Sequence, residues 1–428
     1  MACAALRLRP LALAPAFGLF ALTLSSLAAA RPPEAKPARL DTVARAGLDP
    51  ARLAHIAPRM QELADAQRIA GAVTLVARKG VVAHHEAVGY QDLEAKTPMR
   101  KDSIFQIMSM TKPVTGLAVM MLAEDGRLGL LDPVEKHLPE FKGIKVSAHR
   151  GESGPDASRL EEPTRPFTIR DLMTHTSGMG DYPPELEVYT KMDRSLEETI
   201  SASAKLPLLF QPGERWSYSN PGIAILGRIV EVVSGKRYEH FLKERLFEPL
   251  GMKDTFFFPP AEKTSRIALV YRVENGRLER APATILGGDS AKFRAGAKYP
   301  APDFALYSTA TDLFRLHQMV LDEGVFEGRR YLSPASIRLM TTVHTGSLNA
   351  GWRPGSGFGL TYEVVRDAMG TLLFRSPGSF GHGGAFGTDG WIDPSRRLLT
   401  ILLIQRSGGA DADERTALTA LAASAVVD

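Results

Sequence analysis

Helical spacing of apolar positions predicts four helices along the chain. Residues 51–68, 109–126 and 222–234 carry apolar side chains at recurring intervals of three or four positions, and residues 413–426 form an Ala- and Leu-rich run. Such spacing places the apolar side chains on one face of a helix. Gly126 and Gly235 stand at the ends of two of these runs, where glycine commonly terminates a helix.

Alternating and nearly continuous apolar runs predict strands at both ends of the chain. Residues 71–89 alternate around the turn Arg78-Lys79-Gly80, which is typical of a β-hairpin. Residues 358–365 form another strand, and residues 397–404 form a strand of the buried type. We therefore expect an α/β (α+β) fold, with a mainly antiparallel sheet flanked by helices and built from both chain ends. Its α/β part covers about 46–131 and 305–428, and an inserted, mostly helical part covers about 132–304.

The first thirty residues have the pattern of a secretory signal peptide. Two arginines precede a short apolar stretch over residues 11–24, and Ala28-Ala29-Ala30 offers small residues for cleavage. We predict a signal peptide at 1–30, a Pro- and charge-rich linker at 31–45 and one folded domain at 46–428. The only cysteine is Cys3, so the processed chain would contain none. These features favour a periplasmic or secreted bacterial protein with no stable membrane anchor after cleavage.

Composition narrows the possible partners and cofactors. The 428 residues are 44% hydrophobic and 23% charged, which is ordinary for a globular protein. The formal net charge is +4, and no Lys- or Arg-rich tract with interleaved aromatic residues occurs, so we expect no nucleic-acid partner. The tandem His84-His85 lacks metal-ligand spacing and no H-E-x-x-H sequence exists, so we expect no metal and no other cofactor.

Ser109 and Lys112 are the first candidates for chemistry. They lie three positions apart, which places both side chains on one face of a helix. A serine hydroxyl needs a neighbour to take its proton before it becomes a good nucleophile, and a lysine amine one turn away can do this. S-x-x-K arises often by chance, and the structural alternative for Ser109 is an ordinary helix N-cap. The pair therefore indicates a catalytic site only if suitable partner residues occur further along the chain.

Three later segments combine polar side chains with glycine or turn residues. They read His175-Thr176-Ser177-Gly178, Tyr218-Ser219-Asn220 and His382-Gly383-Gly384-Ala385. Each has a purely structural alternative: Tyr218 could be a packing residue after a turn, and Asn220 before a proline is also a good turn residue. We interpret His175 as structural, orienting a loop through hydrogen bonds. The order of the segments is more informative than any one of them.

This order of motifs resembles the serine β-lactamase and penicillin-binding-protein superfamily, and most closely class C β-lactamases and family VIII carboxylesterases. The likeness runs from about residue 71 to about residue 404. Supporting segments lie at 106–113, 172–178, 210–214 and 387–391. The resemblance implies a β-lactamase/transpeptidase-like fold over 46–428 and an acyl-enzyme mechanism that acts on a small-molecule acyl substrate.

The resemblance implies three catalytic side chains. Ser109 would attack an acyl carbonyl and become acylated. Lys112 would hold Ser109 and Tyr218 in a hydrogen-bonded cluster. Tyr218 would shuttle protons, and nearby cations would pull its pKa below the usual value of about 10.

The same resemblance implies an oxyanion hole and substrate contacts. The backbone N–H groups of Ser109 and Ala385 would hold the developing oxyanion. Asn220 would hydrogen-bond an amide or ester oxygen of the substrate. Further substrate contacts would come from the strand edge formed by His382, Gly383 and Gly384.

Two segments depart from the family pattern. His382-Gly383-Gly384 replaces a Lys-Thr-Gly whose lysine helps to bind substrate carboxylates, and a histidine of ordinary pKa is mostly neutral at pH 7. We therefore expect uncharged acyl esters as substrates. Relatives often have Gly-Gly before Tyr307-Ser308-Thr309, where this chain has Pro302-Asp303-Phe304-Ala305. The stretch at 287–304 either lines the acyl pocket or forms a plain surface loop.

The leading interpretation is an exported serine hydrolase that forms an acyl-enzyme on Ser109, in the first place a carboxylesterase. One alternative is a β-lactamase or a D-amino-acid peptidase (DD-carboxypeptidase) of the cell wall. Another is a non-catalytic relative that binds peptidoglycan or a partner protein. The complete Ser-Lys-Tyr set argues against this last alternative, because a binding module has no need of it.

Overall fold

A computed structural model of the protein describes residues 40–147, 159–282, 296–371, 374–408 and 413–428. The predicted signal peptide lies outside the described residues. The α-helices are α1 (Leu40–Arg45), α2 (Pro50–Leu53), α3 (Ile56–Asp65), α4 (Thr111–Glu124), α5 (Val134–His137), α6 (Ile169–Met173), α7 (Leu196–Ser203), α8 (Asn220–Ser234), α9 (Tyr238–Leu242), α10 (Glu248–Leu250), α11 (Ala310–Leu321), α12 (Pro334–Thr341), α13 (Ala368–Thr371) and α14 (Asp413–Ser424). The strands are β1 (Gly71–Arg78), β2 (Val81–Asp92), β3 (Thr97–Pro98), β4 (Phe105–Gln106), β5 (Val146–Ser147), β6 (Leu160–Glu161), β7 (Tyr271–Glu274), β8 (Arg277–Arg280), β9 (Tyr307–Ser308), β10 (Val325–Phe326), β11 (Arg329–Arg330), β12 (Ser356–Phe358), β13 (Glu363–Val365), β14 (Phe380–Gly383), β15 (Asp389–Asp393), β16 (Leu398–Leu403) and β17 (Arg406–Ser407).

The strands from the two ends of the chain pair in one eight-stranded sheet. Its order is β12-β13-β14-β15-β16-β1-β2-β3, and neighbouring strands are antiparallel. The seam between the two ends is the β1–β16 pair, in which Val73 lies opposite Leu403 and Arg78 opposite Leu398. The predicted fold class, a mainly antiparallel sheet built from both termini and flanked by helices, is confirmed.

Alternate residues of the central strands enter two separate hydrophobic clusters. Val73 and Ile401 belong to the larger cluster, which also includes the buried faces of α4, α8 and α11. Val76 and Leu402 belong to the second cluster, which includes the buried faces of α3 and α14. Because successive side chains of a strand point to opposite faces, helices cover both sides of the sheet. Helix α4, which carries Lys112, therefore belongs to the larger cluster together with α8 of the helical insertion, and Ser109 lies just before it.

Helix α4 is buried on nearly all sides, as its apolar sequence requires. Gly116 permits part of this packing, because a Cβ there would lie 2.1 Å from Thr361 Oγ1. The helix ends before Gly126, whose φ of +70° is the left-handed conformation expected of a terminating glycine. No helix in the described ranges is long and apolar enough to span a bilayer.

Two elements differ from the sequence-based expectations. Residues 358–365 are not one strand, because β12 and β13 form a hairpin that reverses through Thr361 at a φ of +67°. The alternation of apolar residues continues through this reversal, so the pattern alone does not reveal it. Helix α1 also falls within the predicted linker, where Val43 packs into the second hydrophobic cluster.

Candidate active site

The turn that carries Ser109 is held in a strained conformation at the start of α4. Ser109 lies in a one-turn 3-10 helix, Met108–Met110, and Met108 has a φ of +50°. A non-glycine residue in this region costs about 1–3 kcal/mol and persists only where its surroundings enforce it. The Thr111 hydroxyl donates to the Met108 carbonyl over 2.7 Å, which helps to hold the turn. The turn leaves Ser109 partly exposed although its neighbours on either side are buried.

Lys112 lies directly beneath Ser109. Its Nζ donates hydrogen bonds to Ser109 Oγ over 3.1 Å and to the Asp303 carbonyl over 2.7 Å. The side chain is fully buried, and this burial lowers the pKa of Lys112 to about 7, although the charge of Asp303 opposes the shift. A substantial fraction of the amine is therefore neutral near pH 7 and able to accept the Ser109 proton.

Tyr218 lies on the wall of the same pocket as Ser109. Lys112 Nζ is 4.7 Å from the centroid of the Tyr218 ring, so the amine approaches the face of the ring. Burial raises the pKa of the Tyr218 phenol above its usual value, and the nearby Ser109 hydroxyl only partly opposes the rise. This direction is opposite to the expected one, because burial outweighs the effect of the Ser109 hydroxyl. The phenol thus stays protonated, and its buried oxygen makes no hydrogen bond within the described residues.

His175 braces the loop that carries Tyr218. Its Nδ1 accepts the Ser219 N–H over 3.2 Å, and its carbonyl accepts the Ser217 N–H over 2.9 Å. Burial, together with the charge of Lys112, keeps the pKa of His175 well below its ordinary value. These contacts are those expected of a structural residue, because they fix the backbone on both sides of Tyr218.

A tight turn after β14 brings Ala385 next to the serine. The Gly384 N–H donates to the Thr388 carbonyl and the Gly387 N–H to the Gly384 carbonyl, over 2.8 and 3.0 Å. Neither turn bond uses the Ala385 N–H. Gly384 must be a glycine here, because a Cβ would lie 2.4 Å from the Ile107 carbonyl oxygen. The Ala385 turn and Ser109 line one pocket, as an oxyanion hole formed by their N–H groups requires.

His382 is a neutral hydrogen-bond acceptor in this pocket. Its Nδ1 lies 2.7 Å from the Gly383 carbonyl, and since a carbonyl can only accept, Nδ1 carries the proton. Nε2 therefore presents a lone pair, and it has no partner among the described residues. Burial, reinforced by the charge of Lys112, lowers the pKa of His382 to about 3. The ring is thus uncharged throughout the neutral range.

Asn220 hydrogen-bonds to a residue that does not line the pocket. It is the first residue of α8, and its Nδ2 donates to the Tyr189 hydroxyl over 2.8 Å. It is not among the residues that line the pocket with Ser109. The predicted residues that the structure gathers around the pocket are Ser109, Lys112, Tyr218, His382, Gly383, Gly384 and Ala385.

The pocket also contains charged residues that the sequence did not indicate. It has a volume of about 310 Å³, and its lining includes Arg353, Glu363, Arg375, Asp389 and Arg415. Formally, three cations against two anions give 3 − 2 = +1. The segment at 387–391 already contained Asp389, but the three arginines come from separate parts of the chain and share no spacing that could have identified them.

Ion pairs and hydrogen bonds hold two of these charged residues in place. Arg375 is buried, pairs with Asp389 over 2.9 Å and lies 3.7 Å from the Trp391 ring centroid. Arg415, on α14, donates to the carbonyls of Gly384 and Thr388 over 2.8 and 3.0 Å. Arg415 therefore braces the turn that carries Ala385. No group of three or more His, Cys, Asp or Glu suited to a metal ion occurs in the part of the chain that the structure describes.

The chain is similar to known proteins over most of its length. It matches the Beta-lactamase family model over residues 55–424. Protein Rv1367c of Mycobacterium tuberculosis is 34% identical over 380 residues, 84% of this chain and 91% of that protein. Esterase EstB of Burkholderia gladioli is 30% identical over 390 residues, 84% of this chain and 93% of that protein. The solved structure of EstCE1, a hydrolase with promiscuous acyltransferase activity, is 26% identical with a TM-score of 0.75, covering 87% of this chain and 99% of that chain.

Proposed function

This chain belongs to the beta-lactamase family, and from its site we propose that it is an exported serine hydrolase that acts as a carboxylesterase through an acyl-enzyme on Ser109. The observation that carries the proposal is the hydrogen bond between Lys112 Nζ and Ser109 Oγ in a pocket that also holds the Ala385 turn. A nucleophile, its base and an oxyanion site within one pocket are the parts that acyl transfer needs.

In the proposed reaction, Ser109 Oγ forms a bond to the acyl carbon while its proton passes to the neutral amine of Lys112. The carbonyl electrons move to the oxygen, which the N–H groups of Ser109 and Ala385 hold. When the oxyanion collapses, the bond to the leaving oxygen breaks, and that oxygen takes a proton from the Tyr218 phenol, which Lys112 then reprotonates. A water molecule repeats the sequence on the acyl-enzyme and restores Ser109.

Two observations support an ester as the substrate. His382 offers an uncharged acceptor where a lysine would attract a carboxylate, so this edge of the pocket has no preference for an anion. Esterase EstB and the hydrolase EstCE1 are similar to nearly the whole chain. These similarities place esterases among its relatives, and the proposal extends their activity to this chain.

A second candidate activity is hydrolysis of a β-lactam or a D-amino-acid peptide. It is favoured by the charged wall of the pocket, where Arg353 is exposed and adds to the formal excess of positive charge. A carboxylate of either substrate would find a cation there instead of at His382. The Arg353→Ala variant separates the two activities, because it should weaken turnover of a carboxylate-bearing substrate and leave p-nitrophenyl butyrate turnover unchanged.

The nucleophile is tested with a fluorophosphonate activity probe. Native protein should label, Ser109→Ala should not, and Ser203→Ala, which removes a buried helical hydroxyl, should label like the native protein. Equal labelling of Ser109→Ala, or no labelling of the native protein, would disprove the proposal. The substrate class is tested with p-nitrophenyl butyrate, a chromogenic cephalosporin and a D-Ala-D-Ala peptide, and we expect the ester to be cleaved with the highest kcat/KM.

Export is tested by the mass of the protein recovered from its bacterial host. We expect the chain to begin at Arg31 in the periplasmic or secreted fraction. An unprocessed chain confined to the cytoplasm would contradict this part of the proposal without affecting the chemistry at Ser109.

A further inference from the structure

Asp303 is an ionisable residue beside Lys112 that the proposed reaction does not use. Its carbonyl oxygen accepts the hydrogen bond from Lys112 Nζ over 2.7 Å. Its side chain is completely buried, and neither carboxylate oxygen has a hydrogen-bond partner of good geometry within the described residues. The nearby Tyr182 hydroxyl favours the charged form but does not offset burial, which raises the pKa of Asp303. Burial of a carboxylate without such partners is costly, so its position next to the catalytic amine calls for a function.

The backbone around Asp303 is fixed on both sides. The Thr115 hydroxyl, on α4, donates to the Pro302 carbonyl over 2.6 Å. The Ala305 N–H donates to the Ala301 carbonyl over 3.0 Å, and the following strand β9 pairs with β4 just before the Ser109 turn. Asp303 is therefore held against Lys112 by the same elements that position the nucleophile.

Among the residues that the structure describes, the other ionisable groups near Asp303 include no second cation. Apart from burial, the electrostatic effect of Lys112 is the strongest influence on its carboxylate, and the remaining charged neighbour is the exposed carboxylate of Asp181. Burial raises the pKa values of five nearby phenols, and the charge of Asp303 raises them further, namely Tyr182, Tyr189, Tyr218, Tyr238 and Tyr299. Lys112 in turn faces Asp303, His175 and His382, and both histidine rings are neutral. Within the described residues, Lys112 is thus the only cation that acts on the Asp303 carboxylate.

We propose that Asp303 is a positioning residue that sets the charge state of the catalytic amine: its carbonyl orients Lys112 Nζ toward Ser109, and its buried carboxylate stabilises the protonated form of the amine. The inference rests on the proposed function of Ser109 and Lys112. Under this proposal, the segment 302–305, which replaces the Gly-Gly common in relatives, positions Lys112 and controls its charge.

The carboxylate controls the pH at which Lys112 becomes a base. Burial raises the pKa of Asp303 to about 7 and lowers that of Lys112 to about 7, so the two groups titrate as a coupled pair. A neutral side chain at 303 removes the negative charge that favours the ammonium. The amine then stays neutral at lower pH, and the acid limb of kcat/KM moves toward acid.

The test is the pH profile of kcat/KM for p-nitrophenyl butyrate in the native protein and in Asp303→Asn, which keeps the shape and the carbonyl but not the charge. We expect the acid limb to shift by about one pH unit to lower pH, the lower end of the effect of a neighbouring opposite charge. Asp181→Asn, which removes the exposed carboxylate nearby, is the matched control and should leave the limb in place. An unshifted limb in Asp303→Asn would overturn the inference.

A second readout does not depend on turnover. The Cε resonance of ¹³C-labelled lysine, assigned by its loss in Lys112→Arg, should titrate at lower pH in Asp303→Asn, and in Asp303→Ser if the first variant folds poorly. An unchanged titration in a folded variant would contradict the inference. If the native protein does not label with the fluorophosphonate, the proposed function fails, but the titration still decides whether Asp303 controls the charge of Lys112.

Discussion

The Thr388 hydroxyl donates a 2.9 Å hydrogen bond to the Ile107 carbonyl, and so ties the start of β15 to the residue two positions before Ser109. The two residues lie far apart in sequence, yet this contact brings the Ala385 turn to the nucleophile. Gly384 makes the close approach possible, because a Cβ there would lie 2.1 Å from Thr388 Oγ1. The position of the oxyanion site thus depends on the absence of a side chain at Gly384 and on the hydroxyl of Thr388.

Gly384→Ala should reduce kcat far more than it raises KM. The new Cβ would collide with backbone at Ile107 and displace the Ala385 N–H, and loss of one oxyanion donor lowers kcat by about 10²–10³. The measurement is steady-state hydrolysis of p-nitrophenyl butyrate together with a thermal melt. Gly129→Ala, whose Cβ would meet only the side chain of Asp132 at 3.3 Å, is the control and should behave like the native protein.

Lys112→Met should abolish acylation, since no other base contacts Ser109 Oγ in the described structure. The loss expected for a general base is about 10²–10⁴ in kcat/KM. Lys112→Arg should be equally inactive, because a guanidinium remains protonated.

In the native protein kcat/KM should fall as the pH drops below about 7, the pKa to which burial lowers Lys112. A flat profile from pH 5.5 to 8 would show that the amine is not the base.

The sequence predicts those parts of the fold that depend on local periodicity. The hairpin of β1 and β2, the helix α8 and the seam strand β16 all follow from apolar spacing within one segment. The reversal at Thr361 escapes prediction, because it depends on packing against α4, where Gly116 leaves room for the threonine side chain. A periodic pattern contains no information about such a distant contact.

The same distinction holds at the candidate site. Ser109 and Lys112 could be paired from their spacing, because one helix turn sets the distance between them. The direction of the Tyr218 pKa shift could not be predicted, since it depends on the burial of the phenol in the folded protein. Arg353, Arg375 and Arg415 converge on the pocket only through the tertiary fold.

Tyr218→Phe should lower kcat with little change in KM. The phenol remains protonated because burial raises its pKa, so it can donate a proton to the leaving oxygen but cannot begin the reaction as a phenolate. We expect a loss of about 10²-fold or more for an ester with a poor leaving group. The loss should shrink for p-nitrophenyl esters, whose leaving oxygen needs no proton. Equal losses for both esters would argue against proton donation.

The KM for a carboxylate-bearing ester should be flat between pH 5.5 and 8. Burial and the charge of Lys112 lower the pKa of His382 to about 3, so the ring gains no charge in this range. His382→Gln keeps a neutral acceptor and should retain this flat profile. A KM that decreases as the pH falls through 6.5, and only in the native protein, would show that His382 becomes protonated and binds the anion.

His317 should make the free energy of unfolding decrease as the pH falls from 6.5 toward 4. Burial alone lowers the pKa of His317 to about 4, so the unfolded chain binds a proton in this interval that the folded chain does not. The stability is complete above about pH 6.5 and is lost progressively below it, by about 2–3 kcal/mol for one such group. The pKa values of His84 and His382 are lowered for the same reason and add to the slope.

Urea unfolding at several pH values should give a shallower pH dependence of the free energy of unfolding for His317→Leu than for the native protein. His55→Leu, which removes an exposed histidine, should leave the slope unchanged, and equal slopes in all three proteins would contradict the assignment.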